Sequence, residues 1–89
     1  MNGIVEKIGT SHSNNMYIDC GDSLITIDKR GTFDSKQQYS WTYTAPSSGP
    51  EMEFESYLIT ETEIKKRIET LTDGLISNEM NEAIKLFFA

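Results

Sequence analysis

The apolar residues of this chain change their spacing once, at Thr60, and that change limits the fold more than any other feature. Before Thr60 they alternate with polar residues, as in strands that bury one face. After it they recur three and four positions apart, as in helices that bury one stripe. The boundary is punctuated. Thr60 and Glu63 have capping-box spacing, in which each side chain takes up a free backbone amide of the first turn. Ile59, just before the cap, is placed to staple onto Ile64. Ile64, Ile68 and Leu71 form the stripe of a first helix, and Gly74 is placed to end it. Ser77 is a cap for a second helix whose Met80, Ile84, Phe87 and Phe88 share one side. The short link from Asp73 to Ile76 predicts a helical hairpin over 60–88.

The strands before Thr60 are read from alternation and from breakers. A first strand lies around Ile4, Glu6 and Ile8, between Gly3 and Gly9, and a polar turn runs from Thr10 to Asn15. Met16, Ile18 and Cys20 alternate on an inner face, and Gly21-Asp22 turns the chain into Leu24-Ile25-Thr26-Ile27, with Gly21 supplying the positive φ of a hairpin turn. Asp28-Lys29-Arg30-Gly31 reads as the next turn, and the pattern is weak from Thr32 to Gln37. Tyr39, Trp41 and Tyr43 then occupy one face of a regular strand. After the breaker-rich loop Ala45 to Pro50, Met52 and Phe54 alternate inward and Glu51, Glu53 and Glu55 outward.

The expected fold is therefore α+β: an antiparallel sheet of four to five strands with two C-terminal helices packed on one face. Residues 1–57 are mainly β, and 1–89 form a single domain. Ile64, Ile68, Leu71, Ile84 and Phe87 are expected to be buried against Met16, Ile18, Ile25, Ile27, Met52 and Phe54. A length of 89 residues suits one domain, and 37% hydrophobic with 25% charged residues is an ordinary globular composition.

Composition also limits the chemistry. The single cysteine, Cys20, has no partner for an internal disulfide. The acidic start of the chain is not that of an export leader, and no apolar run reaches the ~18 residues of a membrane span, so a cytoplasmic protein is expected. The net charge is −6, and residues 46–89 carry nine acids against four bases. Direct nucleic-acid binding needs a basic footprint that this chain lacks. Its one basic cluster, Lys65-Lys66-Arg67, is flanked by Glu61, Glu63 and Glu69 as on a salt-bridged helix face.

A nucleophilic enzyme would have to be built on His12 and Cys20, and Cys20 sits among Asp19 and Asp22, which favour the neutral thiol. One His, one Cys and scattered carboxylates do not make a zinc spacing or a calcium loop. No catalytic, cofactor or metal residue is assigned, and the chain is read as a non-enzyme.

Two surfaces remain. The stripe Tyr39, Trp41 and Tyr43 either stacks on a ligand or packs beneath the helices; with Phe87 and Phe88 it is also a candidate self-association interface. The glutamates Glu51, Glu53 and Glu55, with Glu61, Glu63 and Glu69, form a candidate partner-binding set. On a strand such carboxylates repeat at about 6.6 Å, near twice the ~3.4 Å phosphate spacing of one DNA strand. Against mimicry, duplex DNA carries one charge per ~1.7 Å, far more along a domain's width than a net charge of −6 provides. A solvated edge that resists aggregation is the plainer use of these glutamates.

The expected function is a small acidic protein-binding inhibitor or adaptor, in the style of phage or mobile-element accessory proteins. Its expected target is a basic, nucleic-acid-binding host protein, reached in part by DNA mimicry. A homodimer is expected. The alternatives are a self-associating structural or assembly component and, third, a small hydrolase.

Overall fold

The computed structural model describes residues 5–12, 14–46 and 52–89. Five strands, β1 (Lys7–His12), β2 (Asn15–Asp19), β3 (Leu24–Phe33), β4 (Lys36–Pro46) and β5 (Met52–Ile59), are followed by two helices, α1 (Glu61–Thr72) and α2 (Asn78–Phe88). The strands form one antiparallel sheet in the order β1-β2-β3-β4-β5, so the chain meanders from one edge to the other. Both helices cover the same face: α2 lies over β1 and β2, and α1 lies over β4. They run antiparallel, with Lys65 near the start of α1 lying 5.0 Å from the ring of Phe88 at the end of α2. This is the α+β arrangement that the change of period implies.

The helix punctuation forms as the residues dictate. The Glu63 amide donates to Thr60 Oγ1 at 3.4 Å, and the Thr60 amide donates to Glu63 Oε1 at 3.1 Å, closing the capping box. Ser77 Oγ accepts from the Met80 amide at 3.2 Å and starts α2. At the end of α1 the left-handed conformation is taken by Asp73 (φ 56°) as well as Gly74 (φ 77°), and the Gly74 amide closes on the Glu69 carbonyl at 2.9 Å.

The core lies between the sheet and the helices. Ile8, Met16, Ile18, Ile25, Ile27, Tyr39, Trp41 and Ile59 from the sheet meet Ile64, Ile68, Ala83 and Phe87 from the helices. Leu71 and Ile84 are half-buried at its margin. At one end Tyr39, Phe87 and Phe88 form an aromatic group, with ring centroids 5.0–5.7 Å apart in tilted and edge-to-face pairs. Lys29 and Lys65 cap the Phe87 and Phe88 rings at 5.1 and 5.0 Å.

Three sequence expectations are corrected. Strand β1 begins at Lys7 and continues through Gly9 to His12, so the polar stretch from Thr10 is strand at its start rather than turn. Asp28–Gly31 is not a turn either: β3 runs through it to Phe33, with a register shift between Lys29 and Gly31. Gly31, at φ 100°, serves that bulge, and the hairpin turns at Asp34-Ser35, both left-handed at φ 53° and 64°.

The third correction concerns β5. Met52 and Phe54 do not enter the core; they are 60% and 66% exposed. The register Tyr39↔Ile59, Trp41↔Tyr57, Tyr43↔Glu55 and Ala45↔Glu53 puts Tyr57, Glu55 and Glu53 on the helix-side face. Met52, Phe54, Ser56 and Leu58 therefore point to the opposite, outer face. Ile59 fixes this parity, because the residue before the Thr60 cap must be buried with Ile64 where α1 folds back over the sheet.

Candidate protein-interaction surface

Strand β5 is a sheet edge, and α1 sits one strand inward, over β4. Between them runs a groove of about 460 Å³, floored by Ile25, Trp41 and Tyr43 and walled by Tyr57, Arg67 and Leu71, with Glu55 and Lys66 at its rim. Arg67 organises it. Its Nη1 donates to Tyr57 Oη at 2.7 Å, and its guanidinium lies 4.8 Å from the Tyr57 ring and 5.1 Å from the Trp41 ring. A guanidinium beside two aromatic rings is attracted by both of them and has further N–H donors with which to meet an anion.

Among the described residues nothing covers the outer face of the sheet. Five of the exposed large apolar residues lie there: Leu24, Phe33, Met52, Phe54 and Leu58. They gather at two corners. Leu24, Thr44 and Phe54 form one cross-strand row beside Met52. Phe33 and Leu58 line a shallow hollow with Arg30 and Gln38. Between the corners Thr26, Thr42 and Ser56 form a hydroxyl row, with Thr42 Oγ1 and Ser56 Oγ 3.1 Å apart.

The candidate acidic residues do not form one ridge. Glu51 lies outside the described residues. Glu53 and Glu55 are exposed on the helix side of β5, the reverse of their expected partition from Met52 and Phe54. Glu61 pairs with Lys65 at 2.7 Å, and Glu63 is engaged in the Thr60 cap. Glu69 is exposed near the other end of α1. The basic cluster is divided as well: Lys65 serves Glu61, and Arg67 turns to Tyr57 and Trp41.

Of the candidate interface residues, Tyr39, Trp41 and Phe87 are buried, and Tyr43 and Phe88 are half-buried against the core. The aromatic stripe is thus the floor on which the helices pack, and its Trp41 and Tyr43 also line the groove. Burial, and after it the Glu61 carboxylate, raises the Tyr39 phenol above its ordinary range.

Tyr57, Arg67 and the outward Phe33, Phe54 and Leu58 are the site residues that alternation alone passes over. Counting back by twos from the staple residue Ile59 finds Tyr57 and the outward parity of Phe54. Nothing local marks Arg67, whose partners are ten and more positions away.

Cys20 is half-buried, and its thiol is held above the usual range, first by that burial and then by Asp19 and Glu6, against a hydrogen bond with Ser23. It is a poor nucleophile near neutrality. Among the described residues no group of three or more His, Cys, Asp or Glu is placed to hold a metal ion, and no helix is long and apolar enough to cross a membrane. Comparison with known proteins finds no match among protein families, curated proteins or solved structures.

Proposed function

We propose that this chain is a non-enzymatic protein-binding module, an inhibitor or adaptor, whose partner docks on the outer face of the sheet. The observation that carries the reading is the gathering of Leu24, Phe33, Met52, Phe54 and Leu58 on one uncovered face. Phe33, Leu58, Met52 and Phe54 are each at least 60% exposed. Apolar side chains collected on one face, rather than scattered singly, mark interaction sites, and large anchors dominate the energy of such interfaces. The hydroxyl row between the two corners supplies hydrogen-bonding groups without a desolvated charge.

The charge of the chain gives the partner's character. A net charge of −6 steers association toward a basic surface, as on a nucleic-acid-binding host protein, and acts mainly on the on-rate. DNA mimicry has less support, because Glu61 and Glu63 are engaged within the chain and Glu55 stands at the rim of an aromatic groove.

The test is affinity capture from the source cells with the wild type and with Leu24→Ser/Phe33→Ser, both changes lying away from the β5 edge. Basic proteins retained by the wild type and lost by the variant, at an unchanged unfolding midpoint, support the proposal. Equal retention by both removes the outer face from the function.

A further inference from the structure

We propose that the free edge of β5 pairs antiparallel with the β5 edge of a second copy of this chain, across a two-fold axis at Ser56, joining two five-stranded sheets into one. This goes beyond the docking of a partner on the outer face, because it uses the backbone edge and the rim of the groove.

The edge is available. Strand β5 is the last in the sheet and runs from Met52 to Ile59, and among the described residues no strand or helix lies along its outer edge, since α1 lies over β4. An exposed strand edge presents unpaired amides and carbonyls that template another strand. Glu53 and Glu55 guard only one side of this edge, and Met52, Phe54 and Leu58 stand exposed on the other, so the edge is defended against pairing in some registers and not in others.

The residues choose the register. A two-fold axis normal to the sheet keeps each face on its own side, so a residue meets only residues of its own parity. An axis at Glu53 or at Glu55 sets that glutamate against its twin, and an axis at Phe54 sets Glu53 against Glu55. Like charges directly opposite are destabilising. An axis at Tyr57 aligns only residues 55–59 of the strand and leaves Glu53 and Phe54 without strand partners.

An axis at Ser56 avoids every glutamate–glutamate pair. It sets Phe54 against Leu58 on the outer face, and Glu55 against Tyr57 and Glu53 against Ile59 on the helix side. Directly opposed residues have their Cβ atoms about 4.5–5.5 Å apart. The Glu55 carboxylate of one copy therefore comes within reach of Tyr57 of the other, whose hydroxyl already holds Arg67 at 2.7 Å. Among the described residues the ion pair within the chain is Lys65–Glu61, so Glu55 and Arg67 are unpaired with each other until a second copy arrives.

The symmetry makes this contact twice, at the mouths of both grooves. It also merges the two outer faces, so that the Phe54 and Leu58 side chains of both copies form one larger apolar surface around the axis.

Sedimentation velocity over a concentration series, with each variant's unfolding midpoint measured in parallel, tests the pairing. The wild type should show a monomer–dimer equilibrium. Glu55→Arg should raise the dissociation constant by about tenfold or more, since it places like charges at two symmetric contacts. Adding Arg67→Glu to Glu55→Arg should restore the dimer. Because Arg67 also packs on Trp41 and Tyr57, a second measurement is independent of it. In a Cys20→Ser background, Phe54→Cys mixed with Leu58→Cys should cross-link readily with a short bifunctional reagent. Neither should do so alone, because each lies about 13 Å from its own twin in this register. A monomer at every soluble concentration would overturn the proposal. So would a dimer indifferent to Glu55→Arg, or the absence of the mixed Phe54–Leu58 cross-link.

Discussion

Replacing Phe54 by threonine should leave the folded chain nearly as stable as the wild type, although Phe54 is one of only four phenylalanines. The side chain is 66% exposed, so folding removes about a third of it from water. Full burial of a phenylalanine stabilises by about 1.5–3 kcal/mol, and a third of that is about 0.5–1 kcal/mol. Threonine, which is β-branched, suits a strand as well as phenylalanine does, so the backbone should add little. Had Phe54 faced the helices, its truncation would cost about 3–5 kcal/mol. Ile68 is the internal contrast. It is 2% exposed on the sheet-facing side of α1, and Ile68→Ala should cost about 2–5 kcal/mol, a large share of the ~4–13 kcal/mol total stability usual for a domain of this size. Urea titration followed by fluorescence of the sole tryptophan, Trp41, which is buried in the core, reads both variants. Two protein concentrations separate folding from association, since only the latter makes the midpoint concentration-dependent. A loss of about 3 kcal/mol or more for Phe54→Thr would refute the outward parity of β5. A loss under ~0.5 kcal/mol for Ile68→Ala would refute the packing of α1 on the sheet.

Two further outcomes follow from local chemistry. Ser35→Gly should raise the unfolding free energy by roughly 0.5 kcal/mol or more, and the urea midpoint with it, because it relieves one of two left-handed non-glycine residues at the β3–β4 turn, net of glycine's greater unfolded-state entropy; an unchanged or lower midpoint would contradict a hairpin turning at Asp34-Ser35. The Cys20 thiol has a folded-state pKa raised chiefly by burial, so its contribution is fully present below the unfolded-state value and declines as pH rises through the folded one. Stability should therefore fall in the alkaline range and fall less steeply in Cys20→Ala, as unfolding midpoints against pH would show; identical profiles would remove Cys20 from the effect.

The sequence determined whatever is settled within a few residues. The Thr60–Glu63 box, the Ser77 cap and the Gly21 hairpin each satisfy their backbone groups with near neighbours, so their chemistry is legible without the fold. The stripe of Ile64 and Ile68 is legible for the same reason, because helical spacing alone puts both on one face. Tertiary structure decided what alternation leaves ambiguous. Period two divides β5 into two faces but does not say which is inside, and the answer came from Ile59, where strand and helix meet. A glycine at positive φ serves a bulge as readily as a turn, so Gly31 was placed only by the pairing of β3 with β4, and Asp34-Ser35 turns without the glycine that would announce it. The aromatic stripe became core because two helices landed on it, and Glu55 became part of the rim of a groove because α1 stops one strand short of the edge. Such outcomes depend on which surfaces meet, and contacts between distant segments leave no periodic mark on either of them.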